Sequence, residues 1–245
     1  MLYPSRRKKL DSVQASHSQH AGLWLDRFLP QQIKEEHKLK DKEPHPYTAL
    51  IGEAHTIVEP IEYKEIFARW KRMLSREQLS QHQSVLYREA PVRGRMVVGL
   101  GNESILENSI TIHRTYGVPY IPGSALKGLA AAYAHRFLAD AKWRKEVRDK
   151  EGTLISPIGG AHKIMFGDTI SAGYVTFFDA LYVSGSGFKG QDGNPHALWP
   201  DVITVHHPDY YQEKKQGEKP DEKLVPPADW DSPTPISFMG LWEFP

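Results

Sequence analysis

The sequence predicts an α+β protein, in which a helical N-terminal region precedes a mixed domain of helices and strands. Apolar residues recur at three- and four-residue steps over residues 62–74, as they do on one face of a helix. After Pro91 the apolar residues alternate with a period of two, which is typical of strands. A strand, a helix and a further strand are predicted between residues 93 and 180. We therefore divide the chain into residues 1–90, a helical N-terminal region, and residues 91–245, an α+β domain with long loops.

Two helices are predicted in the N-terminal region. Residues 23–29 space their apolar side chains as a helix does, and Pro30 ends that pattern. Residues 31–46 are charged and end in two prolines, so we expect a linker or an exposed loop. The helix over residues 62–74 is followed by a further amphipathic stretch over residues 76–87.

The most informative helix is predicted to begin at Ser124. Pro119 and Pro122 hold the approach to it extended, and serine is a favoured N-cap residue. The residues that follow are strong helix formers with three consecutive alanines, which would let the helix lie close to a sheet. The helix also carries one apolar stripe. The stripe consists of Leu126, Leu129, Tyr133 and Phe137.

Strands are predicted on both sides of this helix. Residues 93–100 and 109–113 precede it, and a β-rich run with a buried centre over residues 172–180 follows it. A further short strand is predicted over residues 202–205. Loops are predicted over residues 140–152, 164–168, 184–197 and 212–235.

Composition excludes several classes of protein. The chain has no cysteine among its 245 residues, which excludes disulfide bonds and thiolate metal sites and fits a reducing cytoplasm. No apolar run reaches the roughly 18 residues of a membrane helix, so we expect no membrane partner. Residues 61–150 carry 16 Lys and Arg against 9 Asp and Glu, whereas residues 151–245 carry 6 against 13. This asymmetry would let a basic face meet phosphates, but an unevenly charged solvated surface has the same pattern.

The start of the helix at Ser124 is a candidate anion site. The segment from Gly123 to Gly128 lacks the spacing of a nucleotide-binding loop, so ATP or GTP hydrolysis is not predicted. Free amides and the helix dipole nevertheless favour an anion at a helix start. Lys127 lies in the first turn, where its ammonium could reach a phosphate. The structural alternative is a serine-capped core helix with a solvated lysine.

No catalytic or metal site is predicted. His206, His207 and Asp209 have metal-ligand chemistry, but adjacent strand residues point to opposite faces, so we interpret them as structural. Asp168 and Asp179 lie elsewhere in the sequence. A Ser-His-Asp arrangement has no supporting G-x-S-x-G sequence. We therefore predict no catalytic residue, no cofactor and no metal.

Residues 116–134, with the sequence YGVPYIPGSALKGLAAAYA, resemble the signature of the RAMP superfamily of CRISPR type III-B proteins. The resemblance is to the family of sixth subunits of the Cmr effector complex. Further segments agree with that family in the same order, so the match spans residues 22–239. These segments are residues 22–27, 101–107, 166–167, 173–180, 201–204, 207–211 and 229–236.

The resemblance implies a ferredoxin-like, RRM-type RAMP core over residues 91–245. It also implies a guide-RNA-binding, non-catalytic backbone subunit of a cytoplasmic RNA-targeting complex for antiviral defence. The expected partners are guide RNA (crRNA), target RNA, other RAMP subunits and the small subunits. Because base pairing reads the sequence, the protein would contact RNA backbone and shape. The residues expected to contact RNA are Gly123, Ser124, Ala125, Lys127, Arg114 and Arg136.

One departure from the family concerns the C-terminal part, which we expect to be shortened. Such proteins continue past the PTPISF segment into further strands, a helix and a glycine-rich loop. This chain stops at residues 240–245, which include large apolar side chains. We therefore expect an uncovered sheet edge and exposed aromatic side chains in this part of the chain.

Two rival functions stay open at this point. One is a metal- or histidine-dependent endoribonuclease of the RAMP superfamily, with a histidine as general acid or base. Its candidates are His113, His135, His206 and His207. The other is a protein-interaction cap that lies near RNA without binding it.

Overall fold

The computed structural model describes residues 13–15, 20–29, 46–75, 85–106, 108–205, 228 and 234–242. Within these residues the chain contains both helices and strands, which confirms the mixed fold class. It divides into two compact units. The first unit comprises Met1–Pro119 and Tyr182–Pro245, and the second comprises Tyr120–Leu181. None of the described helices is long and apolar enough to cross a membrane.

Three helices open the first unit: α1 Ala21–Arg27, α2 Pro46–His55 and α3 Ile61–Ser75. Helices α1 and α3 confirm the two predicted helices. His20 is the N-cap of helix α1, and its Nδ1 accepts a hydrogen bond of 2.9 Å from the Leu23 amide. Helix α2 was not predicted, although Leu50 and Ala54 are four residues apart and share its buried face.

The core of the first unit forms where α1 and α2 pack together. Leu50 and Ile51 are completely or almost completely buried, and Trp24 of α1 is buried among them. The Trp24 indole stacks on Phe28 with 4.1 Å between ring centroids. Its Nε1 donates to Glu53 Oε2 of α2 at 3.2 Å, so the buried indole N–H has an acceptor.

The sheet of the first unit has three antiparallel strands, in the order β1, β9, β8. They are β1 Arg95–Met96, β8 Trp199–Val205 and β9 Thr234–Trp242. Strand β8 confirms and extends the strand predicted over residues 202–205. Strand β9 is the central strand. Its consecutive residues Phe238 and Met239 are both buried, although they point to opposite faces of the sheet. On one side of β9, strand β1 pairs only with Leu241 and Trp242, so the expected uncovered edge stays a prediction.

The two strands predicted before the signature helix form only in part. Strand β1 contains two of the residues predicted over 93–100, and the second segment contributes a single bridge between Ile112 and Pro119. The segments still meet, because the Thr111 amide donates to the Val98 carbonyl at 2.7 Å. A turn at Gly99, with φ of 85°, interrupts the ladder.

The second unit contains two helices and two pairs of short strands. The strand pairs are β2 Tyr120–Ile121 with β5 Ala180–Leu181, and β3 Val147–Arg148 with β4 Leu154–Ser156. The helices are α4 Gly123–Phe137, which confirms the predicted signature helix, and α5 Gly160–Phe166. A 3-10 turn, Ala141–Trp143, lies in the predicted 140–152 loop.

Three predictions for loops and strands need correction. Helix α5 occupies part of the loop predicted over residues 164–168. The run over residues 172–180 is a strand only at its last residue, and its central residues Val175 and Thr176 are exposed, as is Tyr174 before them at 88%. The β-rich composition of the run therefore did not indicate burial there. In the first unit, the loop predicted over residues 184–197 contains a hairpin of β6 Phe188–Lys189 and β7 Pro195–His196.

Several predictions lie outside the described residues. They concern the linker up to residue 45, most of the amphipathic stretch over residues 76–87, and the loop over residues 212–235 up to β9 apart from residue 228. The described residues 85–87 of that stretch are not helical.

Candidate nucleic-acid interface

The N-terminal end of α4 is built against the segment that leads into β5. The backbone of Phe177 and Phe178 lies so close to Gly123 that a side chain there would overlap the Phe177 carbonyl oxygen. The Gly123 amide donates to Asp179 Oδ1 at 2.7 Å. A carboxylate of the chain itself therefore lies at the positive end of the helix dipole.

The residues predicted to bind phosphate at this helix start have different surroundings from those expected. The N-cap is Pro122 rather than Ser124, because the helix already begins at Gly123. The Ala125 amide donates to the Pro122 carbonyl at 2.9 Å. The amides of Gly123 and Ala125 thus have acceptors within the chain, whereas exposed Ser124 and half-buried Lys127 lie beside them at the helix start.

The two predicted cations of α4 lie on different sides of the helix. Nine residues separate Lys127 from Arg136, which at about 100° per residue places them on opposite faces. Lys127 is half-buried, whereas Arg136 is exposed. The predicted RNA contacts of these residues stay predictions, but one flat ligand surface on α4 cannot include both.

Arg114 lies in the first unit, whereas the other predicted RNA contacts lie in the second. Its side chain is exposed, and its carbonyl accepts a hydrogen bond of 2.8 Å from His20 Nε2. Because His20 Nδ1 accepts from the Leu23 amide, the imidazole proton is on Nε2. His20 therefore joins the start of α1 to the segment that carries Arg114.

The apolar stripe of α4 is exposed apart from half-buried Leu126. Leu129 is 70% exposed, Tyr133 58% and Phe137 69%. The buried residues of α4 are instead Gly123 and Ala134, on the side of the small residues. Amphipathicity correctly indicated a distinct apolar face, but the part of this chain that the structure describes does not cover it.

The C-terminal end of α4 is surrounded by basic side chains. The Arg144 guanidinium donates to the His135 carbonyl, and the Lys145 amide donates to His135 Nδ1 at 3.2 Å. Arg136 is exposed on the last turn of the helix. Sequence reasoning selected Arg136 alone, because the contact of the 144–145 segment with the helix end is not visible in a linear pattern.

Buried His162 of α5 has no hydrogen-bond partner on either ring nitrogen among the described residues. Burial lowers the pKa of His162, and the nearby His135 and Lys145 lower it further. Its ring packs against Phe166 with 4.8 Å between centroids. The neutral imidazole thus occupies a largely apolar position within the second unit.

The two described histidines among those considered for catalysis, His113 and His135, lie in different units. His113 lies in the first unit, and its Nδ1 accepts a hydrogen bond of 3.2 Å from the Thr115 amide. His135 lies in the second unit, where its Nδ1 accepts from Lys145. His206 and His207 lie outside the described residues, as does Asp209.

A histidine pair that the sequence analysis missed lies between α2 and the β6–β7 hairpin. Buried His196 faces the His55 carbonyl with Nδ1 at 2.8 Å and Asp192 Oδ1 with Nε2 at 3.0 Å. Both partners are acceptors, so both bonds form only when the imidazole is doubly protonated. The hydrogen bond from His196 lowers the pKa of Asp192 to about 2. The four-residue spacing of Asp192 and His196 was the available signal.

A cleft of about 690 Å³ lies beside α1 in the first unit. Its charged lining residues are two cations, Arg27 and Arg114, and two anions, Asp26 and Glu103. The cleft therefore has no net preference for a polyanion. In the part of the chain that the structure describes, no group of three or more potential ligand side chains could hold a metal ion.

The chain that contains this basic, aromatic helix belongs to a known superfamily of proteins. The chain is a member of the RAMP superfamily, whose family model matches residues 89–242. The match contains the whole of α4 with its signature segment, and it confirms the membership indicated by the sequence.

Individual relatives can also be compared with the chain. Over 98% of its length it is 29% identical to CRISPR system Cmr subunit Cmr6 of Pyrococcus furiosus, of which the alignment covers 77%. It is also similar to a chain in the cryo-EM structure of the type III-B Cmr-beta bound to cognate target RNA, at 17% identity and a TM-score of 0.46. That similarity covers 80% of this chain and 54% of the other, so the chain spans about half the length of the solved one.

Proposed function

We propose that the chain is a guide-RNA-binding, non-catalytic backbone subunit of a cytoplasmic type III-B effector complex. Its partners would be guide RNA, target RNA, other RAMP subunits and the small subunits. The observation that carries the proposal is the alignment with a Cmr6 protein over 98% of the chain, together with RAMP membership over residues 89–242. We also propose a ferredoxin-like, RRM-type core for the RAMP region.

The charge distribution supports contact with RNA. Helix α4 carries Lys127 and Arg136 and no acidic residue, and basic side chains of the following segment adjoin its C-terminal end. A basic surface on a chain of net charge +1 provides local attraction for phosphates without general adhesion to polyanions.

The non-catalytic role is supported by how the described histidines are used. Nitrogens of His113, His135 and His196 are engaged in hydrogen bonds within the chain. His162 is buried, packs against the Phe166 ring and has no hydrogen-bond partner among the described residues. A general acid and base for RNA cleavage would need two titratable groups in reach of one phosphodiester.

The test uses the full chain, a labelled guide RNA, and the neighbouring effector subunits in a parallel reaction. Fluorescence anisotropy measures RNA retention, and gel analysis after incubation with magnesium or manganese measures cleavage. Retention without cleavage, strengthened by the subunits, is the expected result. Reproducible cutting would instead identify an endoribonuclease, and subunit assembly without RNA retention would identify a protein-interaction cap.

A further inference from the structure

The exposed face of α4 combines aromatic rings with a cation. Tyr133 and Phe137 are one helical turn apart, and their ring centroids are 5.0 Å apart at an interplanar angle of 35°. At about 100° per residue, Arg136 falls on the same face, between Leu129 and the helix end. The face therefore presents two neighbouring rings and one guanidinium to solvent.

Basic groups of the next segment adjoin the same end of the helix, on the side of His135. The Arg144 guanidinium binds the His135 carbonyl, and Lys145 follows it in sequence beside the same helix end. Among the described residues, neither Arg136 nor Lys145 has an ion pair with an acidic side chain. The nearby acid, Asp140, is itself paired with Lys142 at 2.9 Å. The helix end thus has an excess of positive charge.

We propose that the C-terminal half of α4 binds single-stranded RNA by stacking bases on Tyr133 and Phe137. A phosphate next to the stacked bases lies against Arg136, which shares their face of the helix. This inference rests on the proposed RNA-binding function and assigns that function to a surface distinct from the helix start at Lys127.

Single-stranded RNA fits this face better than a protein surface does. The two rings lie side by side at a tilt of 35° and are both exposed, so a base can stack on either with its own π-face. The charged members of the surface are cations, and α4 contains no acidic side chain that would repel phosphate. An exposed leucine on the same face adds apolar area next to the rings without adding charge.

Stacking and phosphate contacts have different salt dependences. A phosphate contact releases counterions, so losing one lowers the salt slope for a single strand by about 0.7. A stacked base releases no counterion. Loss of an aromatic ring should therefore weaken binding equally at low and high salt.

The experiment measures binding of the full chain to a fluorescein-labelled 12-nucleotide oligouridylate by anisotropy over a range of salt concentrations. We expect Tyr133→Ala and Phe137→Ala each to weaken binding by roughly 5- to 150-fold, with an unchanged salt slope. Tyr133→Trp should retain binding, whereas Tyr133→Leu should not, because it keeps apolar area but removes the π-face. Arg136→Ala should lower the salt slope by about 0.7.

The matched control is Tyr174→Ala, which removes an 88%-exposed tyrosine of the same unit and should leave affinity unchanged. Circular dichroism checks that each variant folds. If the wild-type chain binds RNA and the ring variants bind within twofold of it, the stacking surface is refuted while the proposed function stands. Ring variants that bind RNA normally but no longer assemble with effector subunits would refute the stacking surface and identify a protein interface instead. A wild-type chain that binds no RNA would overturn the proposed function itself.

Discussion

Replacing Gly123 by alanine tests the packing at the start of α4. A Cβ at this position would overlap the Phe177 carbonyl oxygen and lie 3.0 Å from the carbonyl carbon of Phe178. These are backbone atoms, which no change of rotamer can move. The helix must therefore shift away from residues 177–181, and the shift would stretch the 2.7 Å hydrogen bond from the Gly123 amide to Asp179.

The expected loss of stability follows from three contributions. Overpacking against fixed backbone costs about 1–3 kcal/mol. A weakened hydrogen bond at a partly exposed site adds about 1 kcal/mol. Alanine is favoured over glycine in a helix by about 1 kcal/mol, which offsets part of the loss. We expect Gly123→Ala to lower the free energy of unfolding by about 1–3 kcal/mol.

Gly128→Ala on the same helix is the matched control. Nothing lies within 4 Å of a Cβ at Gly128, so the substitution removes only the conformational freedom of glycine. It should stabilise the chain by up to about 1 kcal/mol. Urea denaturation followed by circular dichroism measures both variants. The packing argument is refuted if Gly123→Ala is as stable as the wild type, or if both variants shift the midpoint in the same direction.

Three further predictions concern RNA binding, the core and acid stability. Lys127→Ala should weaken RNA binding and lower the salt slope by about one phosphate contact. Lys150→Ala, which removes an exposed lysine of the same unit, is the control and should do neither. Equal salt slopes for the two variants would contradict the predicted phosphate contact of Lys127. Leu50→Ala should cost about 2–5 kcal/mol in urea denaturation, since Leu50 is fully buried, and a smaller loss would show that the site collapses. The pKa of Asp192 is lowered to about 2 by His196, so its contribution to stability is present above the ordinary value of 3.8 and is lost as the pH falls towards 2. Asp192→Asn should flatten the dependence of the urea midpoint on pH in that range, and an unchanged dependence would count against the contact.

Apolar spacing and β-branched runs predicted several elements correctly because both are local properties of the sequence. Helices α1 and α3 follow apolar steps of three and four residues, and β8 contains the β-branched run of residues 202–205. The short helix α2 was missed because prolines and charges precede it. Its Leu50 and Ala54 would have indicated the buried face had the window begun at Pro46.

The surroundings of α4 could not be predicted from its own sequence. An apolar stripe shows which face of a helix differs from the rest, but not which element covers it. Here the small residues Gly123 and Ala134 are buried, while Tyr133 and Phe137 are exposed. The approach of Asp179 to the Gly123 amide depends on a contact between residues 56 positions apart, which no local pattern encodes.

The central position of β9 has a consequence for the order in which a nascent chain can fold. The second unit, Tyr120–Leu181, is continuous in sequence and can fold as soon as it leaves the ribosome. The sheet of the first unit cannot form until β9 has been synthesised, because β9 supplies the strand between β1 and β8. During translation, the N-terminal helices therefore wait for Met239 to complete their core. The segment synthesised later can therefore complete its fold before the segment synthesised first, and a ribosome stalled once residue 181 has left the exit tunnel would hold a folded second unit tethered to an open first one.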